Sequence, residues 1–238
     1  MKKTLLIVKN ITHEGPGLLE ASLQDHDIAS HCADLSAGEP FPDPGNYRAI
    51  VVLGGPQSAN DETPAMQLQL RQIRIALKEK IPFFGICLGM QSLVKAGGGR
   101  VVKCAEKEIG FIAPDGQPYR MELTVTGSED PLFAGLGKSF PVFQLHGETV
   151  ELASTDMKLL GSGSFCPIQA VKVGNSAYGL QCHFEVTRAM FSEWTGIDDN
   201  LRIMDRTLLM EQFDAIRKEY TETGMKLMNN FLRISSLI

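Results

Sequence analysis

The first half of the chain alternates short apolar runs with longer segments whose apolar residues recur at helical spacing. Predicted strands cover residues 5–9, 28–35, 49–53 and 82–86, and predicted helices cover residues 18–24, 62–80 and 89–95. The helical spacing over 62–80 includes Leu68, Ile73 and Leu77. A series of β-α-β units of this kind predicts a parallel sheet with helices on both faces.

The second half is built differently. Short strands are predicted over 100–106, 120–125, 142–145, 168–173 and 178–182, with a hairpin turn at Gly174-Asn175-Ser176, and helices over 187–194, 200–213 and 214–232. No linker, repeat or low-complexity segment interrupts the chain. We therefore predict one α/β domain over 1–238, with a core of about 4–190 and a helical C-terminal extension over 187–235. The expected fold is a flavodoxin-like three-layer sandwich with a mainly parallel central sheet and a small antiparallel section.

The composition narrows the classes of partner. The 238 residues carry a net charge of −5, with 43% hydrophobic residues, which argues against nucleic acid or an anionic membrane surface as a partner. No apolar stretch approaches the roughly 18 residues that a membrane span needs, and the run after Lys3 is too short for a signal peptide. Five cysteines without paired spacing favour a reducing compartment, so we expect a cytoplasmic protein.

The strongest chemical signal is the pattern G-x-C-x-G around Cys87, where a predicted strand runs into a predicted helix. This pattern is typical of a nucleophile elbow, whose tight turn requires small residues at positions such as Gly85 and Gly89. The helix N-terminus favours the thiolate form, which attacks carbonyl carbons. The alternative is a buried cysteine after a core strand, with glycines that serve packing alone.

A nucleophilic thiol needs a base, and His183 stands in an H-x-E pattern at the end of a predicted strand. Residues two apart on an extended segment point to the same side, so Glu185 can orient the imidazole. The alternative is a surface His–Glu pair at a strand end. The segment His13-Glu14-Gly15-Pro16 follows the first predicted strand, at the sheet edge where α/β proteins bind ligands.

Three segments together resemble the class I glutamine amidotransferase family: G-I-C-L-G-M-Q at 85–91, G-L-Q-C-H-F-E at 179–185 and I-V-V-L-G-G-P at 50–56. Their order and spacing match over roughly residues 4 to 190, and the pattern is similar to the glutaminase half of GMP synthetase and its stand-alone relatives. The family usually has proline where this chain has Phe184. This difference is discounted in assigning the triad, because the reacting side chains flank the position.

The resemblance implies that Cys87 attacks the side-chain amide of L-glutamine, releases ammonia and leaves a γ-glutamyl thioester that water hydrolyses. His183 is then the base and acid, and Glu185 fixes its tautomer. The backbone N–H groups of Gly55 and Leu88 are expected to stabilise the oxyanion.

The predicted substrate-binding residues are Gly54, Gln91 and His146. Gln91 lies one helical turn after Cys87, so its amide can share the same face, and the alternative is an exposed helix glutamine. By resemblance His146 lies in a loop at the rim of the site, and it can equally be a loop histidine with internal partners.

No metal or cofactor is predicted. Cys182 is adjacent to His183 but points to the opposite face of a strand, and no zinc-type spacing is present. Cys32, Cys104 and Cys166 are interpreted as small buried residues. No phosphate-binding loop of the G-x-x-x-x-G-K-[ST] type is present either.

Three hypotheses follow. The chain is a glutaminase that passes ammonia to a separate synthase, a γ-glutamyl peptide or conjugate hydrolase with the same triad, or a non-catalytic binding protein of the same fold. The oligomeric state is not predicted.

Overall fold

The computed structural model describes residues 3–153 and 155–238, so residues 1, 2 and 154 of the predicted domain lie outside the described residues. The strands are β1 (Lys3–Lys9), β2 (Ser30–Asp34), β3 (Tyr47–Val52), β4 (Phe83–Ile86), β5 (Arg100–Gly110), β6 (Arg120–Leu123), β7 (Ser139–Pro141), β8 (Gln144–Glu151), β9 (Met157–Ser162), β10 (Ala170–Val173) and β11 (Ala177–Leu180). The α-helices are α1 (Leu18–Asp25), α2 (Pro64–Lys78), α3 (Leu88–Ala96), α4 (Val125–Glu129), α5 (Arg188–Ile197) and α6 (Arg206–Ile234). Short 3-10 helices cover Leu35–Ala37, Pro44–Asn46 and Pro131–Phe133.

The main sheet has nine strands in the order β2-β1-β3-β4-β11-β10-β9-β6-β7. The neighbours from β2 to β11 pair in parallel, and those from β11 to β7 pair antiparallel. Strands β5 and β8 form a separate antiparallel pair. The parallel part places β4 beside β11, so the strands that precede Cys87 and His183 are direct neighbours.

Two apolar layers cover the sheet and confirm the predicted three-layer α/β architecture. On one face α2 and α3 pack against β3, through residues such as Leu70, Leu93 and Ile50. On the other face α1, α5 and α6 pack through residues such as Leu19 and Leu227. The C-terminal helices are therefore part of one layer of the sandwich. Within the described residues no helix is long and apolar enough to cross a membrane.

The predicted helices over 200–213 and 214–232 are wrong as separate elements, because residues 200–205 are not helical and α6 runs unbroken through the predicted break between 213 and 214. It begins after Asp205, whose side chain accepts a hydrogen bond from the backbone N–H of Leu208. Asp214, at the predicted break, lies inside the helix and accepts two hydrogen bonds from Arg188 at 2.8 Å. Its side chain is thus engaged with α5 and does not compete for the backbone of α6.

The antiparallel section also differs from expectation. Strand β9 was not predicted, although it pairs with both β10 and β6. Of the strand predicted over 142–145, only Gln144 and Leu145 lie in a strand, at the beginning of β8, whereas Val142 and Phe143 connect it to β7, which ends at Pro141. The hairpin turn before β11 is as predicted, and Gly174 has a φ of +61° that favours glycine.

Candidate active site

Cys87 lies at a sharp turn between β4 and α3. Its backbone has φ +51° and ψ −107°, a region that residues with a Cβ rarely adopt, and α3 begins at the next residue, Leu88. A Cβ on Gly89 would lie 2.1 Å from the Val52 carbonyl oxygen, and one on Gly85 would lie 2.4 Å from the Gly89 carbonyl carbon. The glycines of the G-x-C-x-G pattern are therefore required by close backbone contacts on both sides of the thiol.

His183 and Glu185 form the expected pair at the end of β11. The Nδ1 atom of His183 lies 2.6 Å from Oε1 of Glu185, and both side chains are almost fully buried. Burial alone lowers the pKa of His183, but the Glu185 carboxylate and hydrogen bonds with Cys87 and Glu185 raise this pKa well above its usual value. The imidazole is therefore held in an environment that favours the protonated ring and is in contact with the thiol.

Elements from distant parts of the chain hold this segment. The Tyr220 hydroxyl of α6 donates to the His183 carbonyl oxygen at 2.9 Å, and the Leu18 N–H of α1 donates to the Glu185 carbonyl oxygen at 2.8 Å. The ring of Trp194 on α5 meets the imidazole edge-on, with ring centroids 5.6 Å apart. The C-terminal helices thus fix the backbone and the ring of the candidate base.

Phe184, between these two residues, makes contacts through both its backbone and its ring. Its backbone N–H donates to Oε2 of Glu185 at 3.0 Å, a bond that proline cannot form. Its ring is fully buried and packs against Phe140 and Tyr220, with centroids 5.6 and 5.7 Å away. Phe184 therefore supplies a hydrogen bond that proline cannot and a buried ring, and the expectation that the difference leaves the chemistry unchanged stays a prediction.

Gln181 is a site residue that the sequence reasoning missed. Its Nε2 lies 3.7 Å from the Cys87 Sγ, and its Oε1 accepts a hydrogen bond from Gln91 at 3.3 Å. The thiol also lies 3.8 Å from the carbonyl oxygen of Leu145. The sequence contains a pattern that could have identified Gln181, because this residue precedes His183 by two positions and so shares its side of the extended segment.

The glycine pair after β3 lies against the elbow. A Cβ on Gly55 would lie 3.4 Å from Cδ2 of Leu88, and one on Gly54 would lie 3.6 Å from the Cys87 Cβ. As the first residue of α3, Leu88 has an N–H with no acceptor inside its own helix. The structure brings together the residues predicted for the oxyanion site, and their role stays a prediction.

Gln91 and His146 are both buried. Gln91 is not an exposed helix residue, because its Nε2 also donates to the carbonyl oxygen of Glu148 at 3.0 Å. His146 has contacts at both ring nitrogens: Nε2 lies 2.8 Å from Oε2 of Glu108, and Nδ1 lies 3.1 Å from the Glu148 oxygen. The ring of His146 therefore has internal partners at both nitrogens, as the loop-histidine alternative expects, and its role in substrate binding stays a prediction.

A group of potential metal ligands surrounds this histidine. Glu108, His146 and Cys166 offer ligand atoms within 4.8 Å of one another, and the Cys104 Sγ lies 3.6 Å from Nδ1 of His146. The Glu108 carboxylate already accepts hydrogen bonds from the Gln169 side chain at 2.9 Å and the Cys166 N–H at 3.2 Å, in addition to its contact with His146. Its oxygens thus have partners without an ion, so this donor set does not require one.

Of the cysteines interpreted as buried, Cys166 is buried, Cys104 is partly buried and Cys32 is exposed. The interpretation is therefore wrong for Cys32, which lies on β2 at the edge of the main sheet. An edge strand has only one neighbour, and its side chains are less completely covered.

Comparison with known proteins identifies the family to which the chain is similar. The family model described as glutamine amidotransferase class-I matches residues 24–193. The chain is 35% identical over 170 residues to the glutamine amidotransferase-like protein YfeJ of Salmonella typhimurium, covering 69% of this chain and 68% of that protein. It is 33% identical over 147 residues to the glutamine-hydrolyzing GMP synthase of Thermosipho melanesiensis, where the match covers 61% of this chain but 26% of the synthase.

Solved structures show the same fold over nearly the whole chain. A glutamine amidotransferase from Thermotoga maritima has a TM-score of 0.85 at 26% identity, with 99% of both chains covered. A glutamine amido transferase from Methylobacillus flagellatus has a TM-score of 0.85 at 23% identity, with 98% of this chain and 96% of that chain covered. With the family model spanning both the elbow and the His-Glu segment, the chain belongs to the class-I glutamine amidotransferase family.

Proposed function

We propose that the protein hydrolyses the side-chain amide of L-glutamine through a Cys87–His183–Glu185 triad. The observation that carries the proposal is the convergence of the Cys87 elbow with the buried His183–Glu185 pair, across neighbouring strands β4 and β11. Membership of the class-I family supports the reaction class.

The first step follows from the orientation of the imidazole. Because Nδ1 faces Glu185, the other nitrogen, Nε2, is the one that takes the proton from the Cys87 Sγ. The thiolate then attacks the amide carbon, and the carbonyl oxygen becomes an oxyanion that the N–H groups of Gly55 and Leu88 stabilise. His183 returns the proton to the leaving nitrogen, so ammonia departs and a γ-glutamyl thioester remains.

In the second half of the reaction, hydrolysis of the thioester, water takes the place of the thiol as the group that gives its proton to His183. His183 takes a proton from water, the hydroxide attacks the thioester carbonyl, and the thiolate leaves with glutamate as product. Glu185 keeps Nδ1 protonated throughout, and the Phe184 N–H keeps the carboxylate of Glu185 in place. Gln91 acts on the site through Gln181, which it contacts at 3.3 Å. Gly54 gives the substrate room beside the thiol, and His146 holds the β8 backbone next to Leu145.

We further propose that the ammonia passes to a separate synthase chain. The basis is an analogy with the GMP synthases, whose names pair glutamine hydrolysis with synthesis. This chain matches only about a quarter of such a synthase, so we assign the synthesis to another chain. The alternative is hydrolysis of γ-glutamyl peptides or conjugates, which require the same bond cleavage and differ in the leaving amine.

Steady-state rates on L-glutamine and on a γ-glutamyl dipeptide distinguish these activities, with Cys87→Ser as the matched inactive control. Faster release of glutamate and ammonia from L-glutamine supports the glutaminase. Much faster cleavage of the dipeptide supports the hydrolase. The non-catalytic alternative is supported if the folded protein turns over neither substrate, even when a cell extract that contains synthase chains is added.

A further inference from the structure

A buried carboxylate that the triad mechanism does not use faces the imidazole of His183. Glu14 lies in the loop between β1 and α1, is 8% exposed, and its Oε2 has no hydrogen-bond partner among the described residues. A Cβ on Gly54 would meet Oε2 of Glu14 at 2.5 Å and Cε1 of His183 at 3.0 Å. These two side chains therefore converge on the same point beside Gly54.

The position of Oε2 of Glu14 near the Cε1 edge of His183 has a chemical meaning. In an imidazolium ring the positive charge is shared between the two nitrogens and the carbon between them, which is Cε1. Nδ1 is already occupied by Glu185, and Nε2 is the nitrogen that the proposed mechanism assigns to the thiol. The Cε1 edge is the remaining polar edge of the ring, and an anionic oxygen there stabilises the positive charge.

We propose that Glu14 is a positioning residue of the triad, a second carboxylate that stabilises the His183 imidazolium formed when Cys87 gives up its proton. In this step the S–H bond of Cys87 breaks, a bond forms between that proton and Nε2 of His183, and Glu14 exchanges no atoms. The proposal rests on the proposed catalytic role of the triad.

A purely structural role does not explain why the carboxylate of Glu14 is buried beside His183. A buried carboxyl oxygen without a donor is costly to the fold, so Glu14 holds nothing in place through Oε2. Burial raises the pKa of Glu14 to about 7; His183 opposes this change, while Glu185 and Asp198 add to it. The charge beside the imidazole therefore changes within the neutral pH range.

The experiment compares Glu14→Gln, which keeps the shape but cannot ionise, with Glu14→Asp, which keeps a carboxylate. Glu20→Gln, on the exposed side of α1, is the matched control. The first readout is the pH profile of kcat/KM for L-glutamine. The second is the rate at which iodoacetamide modifies Cys87, followed by peptide mass mapping, and it requires no substrate.

Below about pH 6 Glu14 is protonated, so wild type and Glu14→Gln should agree within about twofold in both readouts. Near pH 8 we expect Glu14→Gln to be about tenfold slower, which corresponds to a change of one unit in the imidazole pKa. Glu14→Asp should recover most of the loss, and Glu20→Gln should follow wild type.

Superimposable profiles for wild type and Glu14→Gln in both readouts overturn the proposal. A loss by the same factor at every pH also overturns it, because this indicates a structural defect. If wild type turns over neither L-glutamine nor γ-glutamyl compounds, the proposed function fails, while the iodoacetamide profiles still decide the role of Glu14.

Discussion

The unpaired carboxylate of Glu14 predicts that Glu14→Gln stabilises the fold at high pH. Burial raises the pKa of Glu14 from its usual value of 4.5 to about 7 in the folded protein. The folded state therefore binds this proton more tightly than the unfolded state. Its contribution to stability is fully present below pH 4.5 and is lost as the pH rises through about 7.

The size of the effect follows from the pKa change. Each unit corresponds to 1.36 kcal/mol, so the ionised carboxylate costs about 3 kcal/mol of unfolding free energy above pH 8. Glutamine at this position does not ionise, so the advantage of the variant over wild type should grow by about 2 to 3 kcal/mol between pH 5 and pH 8.5. For a chain of this size, that is a rise of about 5 to 10 °C in the Tm difference.

Urea denaturation followed by circular dichroism at pH 5, 7 and 8.5 measures this difference, with Glu20→Gln as the control. The control should show a pH-independent difference near zero, because Glu20 is exposed. A lower stability of Glu14→Gln than of wild type at pH 8.5, or a stability difference that does not change with pH, contradicts this prediction. Either result means that the carboxylate of Glu14 has a hydrogen-bond donor in solution.

Three further outcomes test the site. His183→Ala should lower kcat, measured by glutamate release, by about a hundredfold to ten-thousandfold, and Glu185→Gln should lower it by less. Near-wild-type activity in His183→Ala would mean that another histidine is the base. Gly89→Ala should lower Tm, because the new Cβ meets the Val52 oxygen at 2.1 Å and disrupts the elbow. Gly196→Ala has open space around the new Cβ and should keep or raise Tm, so equal Tm values for the two variants contradict this prediction. Phe184→Pro should lower kcat several-fold more than Phe184→Leu, because only leucine keeps the N–H that holds Glu185, and equal kcat values exclude that role.

The parallel half of the fold was predictable because its signals are local. The strand before Cys87 is fully buried and apolar, and α2 has Thr63 as a side-chain cap with proline at its first position. The antiparallel half was harder, because β9 owes its pairing to β6 and β10 and not to a distinctive pattern of its own. The continuity of α6 is supported by a buried face along its length, with Leu209, Phe213 and Tyr220 in the core, and packing against distant elements is not a local signal.

The candidate site also combines features that could be predicted from local sequence with features that could not. The elbow and the H-x-E pair are short patterns in which each residue restricts its neighbours, so their local geometry could be inferred from the chain alone. Gln181 was within reach of the alternation rule, since it shares the side of His183. The approach of Glu14 to His183 could not be inferred, because it depends on how the loop after β1 packs against Gly54.

The most direct test of the catalytic proposal is covalent labelling with a chloroketone analogue of L-glutamine, followed by peptide mass mapping. We expect one label on Cys87, protection by excess L-glutamine, and slower labelling in His183→Ala. Cys104 and Cys32 are the internal controls, since both are at least partly accessible. Labelling of these cysteines with Cys87 unmodified, or labelling of Cys87 that L-glutamine does not slow, contradicts a catalytic role of Cys87.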